Sequence, residues 1–261
     1  MRIAIPNATA ALAVAVTLVW PAGAAALNDL VINVGCASGE SIGRALSRPT
    51  VVDRRMVVVV SGTCTENVVI ERDDVVLRAH VSGGGVNPAD AAKPAILVNG
   101  AKRVALEGLS VVGGRHGVQV TGGAAAAIRG SAIRNAVANG VLVDGRASAV
   151  VEGSTIENNG RQGVSVEGAG VTMTDSNVRG NGLSGVASLR GGSATLGDTD
   201  NAGNVCCGNT IENNTLDGLI VGDSSSANLH GNVVQGNGRR PAALESWSFA
   251  RARSTFAAAT W

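Results

Sequence analysis

Aromatic residues are almost missing from this chain. Its 261 residues include no Tyr, two Phe and three Trp. Trp20 lies near the start, and Trp247, Phe249, Phe256 and Trp261 all fall in the last fifteen residues. Residues 27–246 contain none, which argues against an irregular globular core, because such cores use large rings to fill uneven space. A core of Val, Ile, Leu and Ala suits a narrow interior in which each layer repeats the one below. Charge of one sign is lacking too: the formal net charge is +1. That balance gives no electrostatic case for nucleic acid or an anionic membrane surface as partner.

No long hydrophobic run occurs after the first 26 residues. Those 26 read as a secretory signal, with Arg2 as the positive region and Ala8 to Trp20 as a short apolar run. Ala22-Gly23-Ala24 and Ala24-Ala25-Ala26 both supply small-residue cleavage patterns. The run is short for a membrane span. The expectation is an exported protein (periplasmic, surface-bound or secreted) with no stable membrane insertion after cleavage, and a monomer.

Four cysteines are present: Cys36, Cys64, Cys206 and Cys207. An even count in an exported chain favours disulfides. Cys36 with Cys64 is the natural pair, stapling an N-terminal cap to the first strands. The adjacent Cys206 and Cys207 read either as free thiols or as a labile bridge.

What is present in abundance is glycine, 36 residues, and it marks a repeat. Gly followed by an apolar, an outward and an apolar residue recurs at Gly117–Val120, Gly140–Val143, Gly163–Val166, Gly185–Ser188 and Gly218–Val221. The spacings are 23, 23, 22 and 33, the last holding an insertion at Asp198 to Cys207. Ala95–Val98 fits one period earlier. A second apolar pair follows at a constant offset, from Val104/Leu106 to Ala227/Leu229, and then a third apolar position, from Val111 to Val234. Three short alternating strands per coil, separated by Gly, Asn and Ser turns, predict a three-sided all-β solenoid. Asn159, Asn181, Asn214 and Asn237 form a column expected to hydrogen-bond up the stack. Arg134, Glu157, Arg179, Glu212 and Gln235 form a second column, expected to be an outward charge ladder.

The ends are less regular. Residues 27–92 read as a cap with the first irregular coils, and 93–238 as the repeats. Ser38 to Leu46 predicts a short capping helix with Ser38 as N-cap and Glu40 in its first turn. Ser82 to Lys93 reads as a glycine-rich loop outside the stack. From Arg239 to Trp261 the pattern stops, and the segment reads either as a capping helix or as a tail foreign to the fold.

The Gly-Cys-x-x-Gly-x-Ser-Ile stretch (Gly35 to Ile42), Gly-Thr-Cys-Thr-Glu-Asn-Val (Gly62 to Val68) and the Asn-x-x-x-Gly-Val coils resemble exported bacterial right-handed parallel β-helix proteins of the pectin lyase-like superfamily, over about residues 31–238. The resemblance implies coils of 22–23 residues and association with carbohydrate, by polysaccharide binding or processing. It does not assign chemistry. Lyases of that superfamily hold Ca²⁺ in a carboxylate cluster, and hydrolases pair carboxylates on neighbouring strands. The outward residues of the Gly segments here are Gln119, Leu142, Ser165, Ala187 and Ile220, with no carboxylate among them. Asp-Pro-His-Glu and Gly-Asp-Asp motifs are absent. Arg115-His116-Gly117 is similar to the Gly-His-Gly of polygalacturonases, but lacks the first Gly and any acidic partner.

Three candidate sites follow. Asp144 and Glu167 occupy one position in successive coils, with Arg146 and Arg161 nearby in sequence. Two carboxylates that close would form an acid pair or recruit a cation. His116, Asn139, Gln162, Ser184 and Asp217 form a polar column ahead of the Gly, suited with Arg161 to a hydroxyl-rich ligand. Asp198, Asp200 and Asn204 partly match a calcium loop, although its fifth position is Ala202 and its twelfth Asn209. Without aromatics between residues 27 and 246, pyranose stacking has no platform, and an acidic glycan would be held by arginine. The other reading is a non-catalytic structural or adhesive surface solenoid.

Overall fold

The computed structural model describes residues 29–49, 54–199 and 205–238, together with the backbone of strands Ala242–Leu244 and Ala252–Thr255. The first 26 residues, Asp200 and Asn204 lie outside that range.

The chain winds as a three-sided parallel β-solenoid. One side is an eight-stranded sheet that runs from Val68–Ile70 through Ile96–Asn99, Val118–Thr121, Val141–Val143, Val164–Glu167, Val186–Leu189 and Leu219–Val221 to Ala242–Leu244. The other two sides are parallel stacks. The first contains Ala125–Arg129, Ser148–Glu152 and Gly170–Thr174, and the second contains Ala132–Arg134, Thr155–Glu157 and Asn177–Arg179. They merge into one sixteen-stranded sheet because the long strand Val75–Asn87 pairs with Val104–Glu107 at one end and Ser110–Val112 at the other.

Register follows the apolar columns read from the sequence. Val118, Val141, Val164, Val186 and Leu219 are direct partners up the eight-stranded sheet. All five are buried. Ile133, Ile156, Val178 and Ile211 stack in the same way on the second side. Each strand contributes only two or three inward side chains, so β-branched residues with few rotamers fill the shaft without rings.

Polar ladders hold the corners. Asn181 is fully buried; its Oδ1 accepts from the Asn159 N–H at 3.1 Å and from Asn159 Nδ2 at 3.0 Å, while its own Nδ2 donates to Asn214 Oδ1 at 2.9 Å. The same pattern joins Asn214 to Asn237. A second ladder of Ser131, Ser154, Ser176, Asn209 and Asn232 runs between the first and second stacks. The expected charge column is in register from Arg134 through Glu157, Arg179 and Glu212 to Gln235, but as a ladder it is partial: Arg179 lies 2.9 Å from Glu157 and Gln235 Nε2 donates to Glu212 at 3.1 Å, while Arg134 turns to Ser110 Oγ at 3.5 Å.

The ends correct three expectations. The capping helix spans Ile42–Leu46, with Ser41 rather than Ser38 at its N-cap. Cys36–Ser38 is a 3-10 turn closed by Gly39 at φ +76°. The helix starts late because the donors at its first turn are met by Glu66, whose carboxylate accepts from the Ile42 N–H at 2.7 Å, the Gly43 N–H at 2.9 Å and Ser41 Oγ at 2.9 Å. Glu66→Gln puts an amide donor against those N–H groups and should lower stability by about 2 kcal/mol. A lower urea midpoint with faster amide exchange at Ile42 and Gly43 is the expected readout; an unchanged midpoint would remove Glu66 from the cap. The Cys36–Cys64 disulfide, spanning 28 residues, ties this cap to the first long strand as expected.

Second, the glycine-rich stretch from Ser82 is not all loop. Gly84 and Gly85 lie in the strand, paired with Gly62 and Thr63, and Gly85 also pairs with Ser110. A Cβ at Gly84 would overlap the Val60 carbonyl, so glycine here permits close approach rather than marking a turn. Third, the stack continues past Gly238. Ala242–Leu244 pairs with Leu219–Val221, and Ala252–Thr255 pairs with Ala227–His230, so the described parts of the tail are strands and not a helix.

Candidate functional site

The eight-stranded sheet carries the residues the sequence singled out. At the C-terminal ends of its strands, Val143 pairs with Val166, which sets Asp144 beside Glu167 in neighbouring coils. The two carboxylates turn to different partners. Gln119 Nε2 donates to Asp144 Oδ2 at 2.9 Å. Asp144 Oδ1 is buried with no hydrogen-bond partner. Glu167 accepts from Ser165 Oγ at 3.2 Å and from Arg190 Nη1 at 2.6 Å. Arg190, 23 residues away, was not apparent from the sequence; the signal was its place one coil after Glu167 at the same strand end. A guanidinium occupies Glu167, and among the described residues no third carboxylate joins the pair.

At the opposite ends of the strands lies the polar column of His116, Asn139, Gln162, Ser184 and Asp217. The structure folds these five inward at the corner. His116 and Gln162 are 9% exposed, Asn139 5%, Asp217 4% and Ser184 0%. The backbone carbonyls of the last four accept from the glycines of the coil before, as Asn139 does from Gly117 and Gln162 from Gly140, and the His116 carbonyl accepts from the Ala95 N–H. The Asn139 N–H donates to His116 Nδ1 at 3.4 Å, and the Gln162 N–H donates to Asn139 Oδ1 at 3.3 Å. The column is therefore a buried corner rather than an open stripe, laddered from His116 to Gln162, while Ser184 Oγ is buried without a partner.

The surrounding charges act on His116 from both strand ends. Burial, then the Arg115 cation, hold the His116 imidazole below its usual pKa; Asp144 and Glu167 pull it up and Arg161 pushes it down. Burial therefore favours the neutral imidazole at this corner. Arg115 and Arg161 lie exposed in one row, linked through Ala138: the Ala138 N–H donates to the Arg115 carbonyl and the Arg161 N–H to the Ala138 carbonyl. Among the described residues neither arginine pairs with a carboxylate. Between the arginine row and the carboxylate row run the outward side chains Leu142, Ser165 and Ala187, all buried.

Two of the three calcium-loop candidates lie outside the described residues. Asp198 opens a short antiparallel hairpin in the insertion, whose remaining calcium-loop positions Asp200 and Asn204 are not described. Among the described residues no three His, Cys, Asp or Glu side chains are grouped to hold a metal ion, and no helix is long and apolar enough to cross a membrane. Cys206 and Cys207 are joined to each other.

A crystal structure of alginate lyase from Paenibacillus sp. str. FPU-7 is similar at 12% identity, with a TM-score of 0.46, over 83% of this chain and 99% of that one. No curated protein matches. Residues 94–256, well over half of the chain, match the family described as the right handed beta helix region. With its parallel register and three-sided coils, the chain belongs to that right-handed β-helix family.

Proposed function

We propose that this is an exported carbohydrate-binding β-helix that holds an acidic polysaccharide along the outer edge of its eight-stranded sheet. The observation that carries the reading is the pair Arg115 and Arg161, exposed, in one row and, among the described residues, without carboxylate partners. They stand two coils apart, about 10 Å along the axis at the spacing of neighbouring strands. Guanidinium groups bind carboxylates bidentately, and a linear acidic glycan offers carboxylates at a regular repeat. Export is supported by the signal-like first 26 residues and by the Cys36–Cys64 bridge.

Binding without turnover is the favoured form of this reading. Glu167 is engaged by Arg190 and Asp144 Oδ2 by Gln119, which leaves Asp144 Oδ1 as the one carboxylate oxygen of the pair without a partner and no second free acid beside it. The test is affinity electrophoresis and calorimetry against polygalacturonate, alginate and a neutral glucan, with unsaturated-uronate absorbance recorded in parallel. Retention by the uronate polymers alone is expected, weakening with salt. The double change Arg115→Ala/Arg161→Ala should weaken it by at least about tenfold, as expected for two lost charge-assisted contacts. Absorbance that rises in the native protein and vanishes in Asp144→Ala would convert the binder into a lyase. No retention on any polymer would overturn the proposal and leave a structural solenoid.

A further inference from the structure

The insertion that breaks the repeat ends in a bond between neighbours. Asp198–Thr199 and Val205–Cys206 pair antiparallel, Asp198 opposite Cys206, in an otherwise parallel molecule. Cys206 is joined to Cys207, both are half-buried, and Cys207 sits at φ +57°. The Cys207 carbonyl accepts from the Asp175 N–H of the preceding coil at 3.2 Å. Two residues later the chain is locked. The Asn209 N–H and Nδ2 both donate to Asn232 Oδ1 at 2.9 Å, and Asn209 Oδ1 accepts from the Ser176 N–H at 3.0 Å.

The two disulfides of this chain differ in what they can do. A disulfide stabilises chiefly by closing a loop in the unfolded chain, and the effect grows with loop length. Cys36–Cys64 closes a separation of 28 residues, and Cys64 is 3% exposed. Cys206–Cys207 closes a separation of 1, so it restricts the unfolded chain hardly at all. What it fixes is local: the turn by which the hairpin rejoins the coil, just before the Asn209 anchor.

We propose that Cys206–Cys207 is a reversible thiol–disulfide switch that sets the turn after Cys206 and the pairing of Val205–Cys206 with Asp198–Thr199. The co-reactant is an external thiol of the exported compartment. Its thiolate attacks one Sγ, a mixed disulfide forms, and the other cysteine leaves as a thiolate that takes up a proton. A second external thiolate then attacks the mixed disulfide. The products are two protein thiols and one external disulfide, with two electrons passed to the protein. Reduction releases the turn at Cys206 and Cys207, while the Asn209–Asn232 ladder keeps the following coil in place.

The test uses the full-length oxidised protein, titrated with dithiothreitol, quenched with iodoacetamide and digested for mass analysis. Alkylation at Cys206 and Cys207 is expected at about tenfold lower dithiol than at Cys36 and Cys64, because the former pair closes almost no loop and has both sulfurs on half-buried residues, whereas Cys64 is buried. Hydrogen exchange should rise about tenfold at Asp198, Thr199, Val205 and Cys206, stay unchanged at Asn209 to Glu212, and reverse on reoxidation. Cys206→Ser/Cys207→Ser should show the reduced pattern without reductant. The switch is overturned if the protein as isolated already has both thiols alkylatable, if both pairs are reduced together, or if hairpin exchange is the same in both redox states.

Discussion

Gly163→Ala should lower stability by about 3 kcal/mol, the upper end for forcing a methyl group into a filled interior. The added Cβ would overlap Val178 Cγ1 and stand 2.8 Å from both Asn181 Nδ2 and the Gly185 carbonyl. None of these neighbours has room to yield. Val178 is a fully buried member of the shaft, Asn181 belongs to the corner ladder, and the Gly185 carbonyl accepts from the Val164 N–H at 2.9 Å. The same collision recurs at Gly140, where a Cβ would meet Ile156, Asn159 and the Gly163 carbonyl, so the repeating glycine marks the corner where the chain turns from the second stack into the eight-stranded sheet. In a solenoid each coil contacts only its neighbours, and a central coil that no longer seats divides the stack in two. Gly170→Ala is the matched control: it lies in a strand, and its Cβ would meet nothing within 4 Å. That change should be neutral or stabilising by about 0.5 kcal/mol, through a less flexible unfolded chain. At about 2–4 °C per kcal/mol for a domain of this size, calorimetry should separate the two variants by roughly 10 °C. Equal melting temperatures would mean that the glycine column reflects turn preference alone.

The repeat was legible because its physics is periodic. Inward valines, corner asparagines and corner glycines each obey a constraint that returns once per coil, so an alignment of the sequence with itself exposes them. What was hidden depends on residues whose partners are set by the third dimension. Ser38 and Glu40 looked like the start of a helix, yet the acceptor for the first turn is Glu66, brought in by the first coil. Glycine was ambiguous at Gly84, where the constraint is a neighbouring carbonyl rather than a bend. Ser131, Ser154 and Ser176 were absorbed into turns, although their place two residues before the third apolar position is as regular as that of the asparagines. The column from His116 to Asp217 was visible as a column, but its direction was not: polar residues at a corner point outward or inward according to how the backbone enters the next strand. The carboxylate pair was aligned correctly in sequence, while Arg190 and Gln119, which decide what those carboxylates can do, come from coils on either side.

The largest loss is expected for Asn181→Asp, about 4 kcal/mol at pH 7, within the range for an uncompensated buried charge. Asn181 occupies a site with 0% exposure where both ends of the amide are used. Its Oδ1 accepts twice from Asn159, an arrangement a carboxylate oxygen preserves. Its Nδ2 donates to Asn214 Oδ1 at 2.9 Å and to the Ile156 carbonyl at 3.3 Å, and there the substitution sets oxygen against two oxygens. Two hydrogen bonds become two repulsions in a site that water does not reach. Protonation relieves part of this, since a carboxylic acid O–H restores one of the two donors. The folded state therefore holds that proton more tightly than the unfolded chain, whose Asp titrates near about 3.9. Stability relative to wild type should be best below that pH and fall as pH rises through the higher folded-state value. Urea midpoints of variant and wild type, measured in parallel from acid to neutral pH, give the difference directly. Asn237→Asp is the internal comparison: it sits at the half-buried last rung, donates to the Ile211 and Gln235 carbonyls at 3.0 Å, and should lose much less. If Asn181→Asp tracked wild type within about 1 kcal/mol across that range, the net value of one ordinary hydrogen bond, the asparagine column would be a by-product of turn geometry rather than a spine of the solenoid.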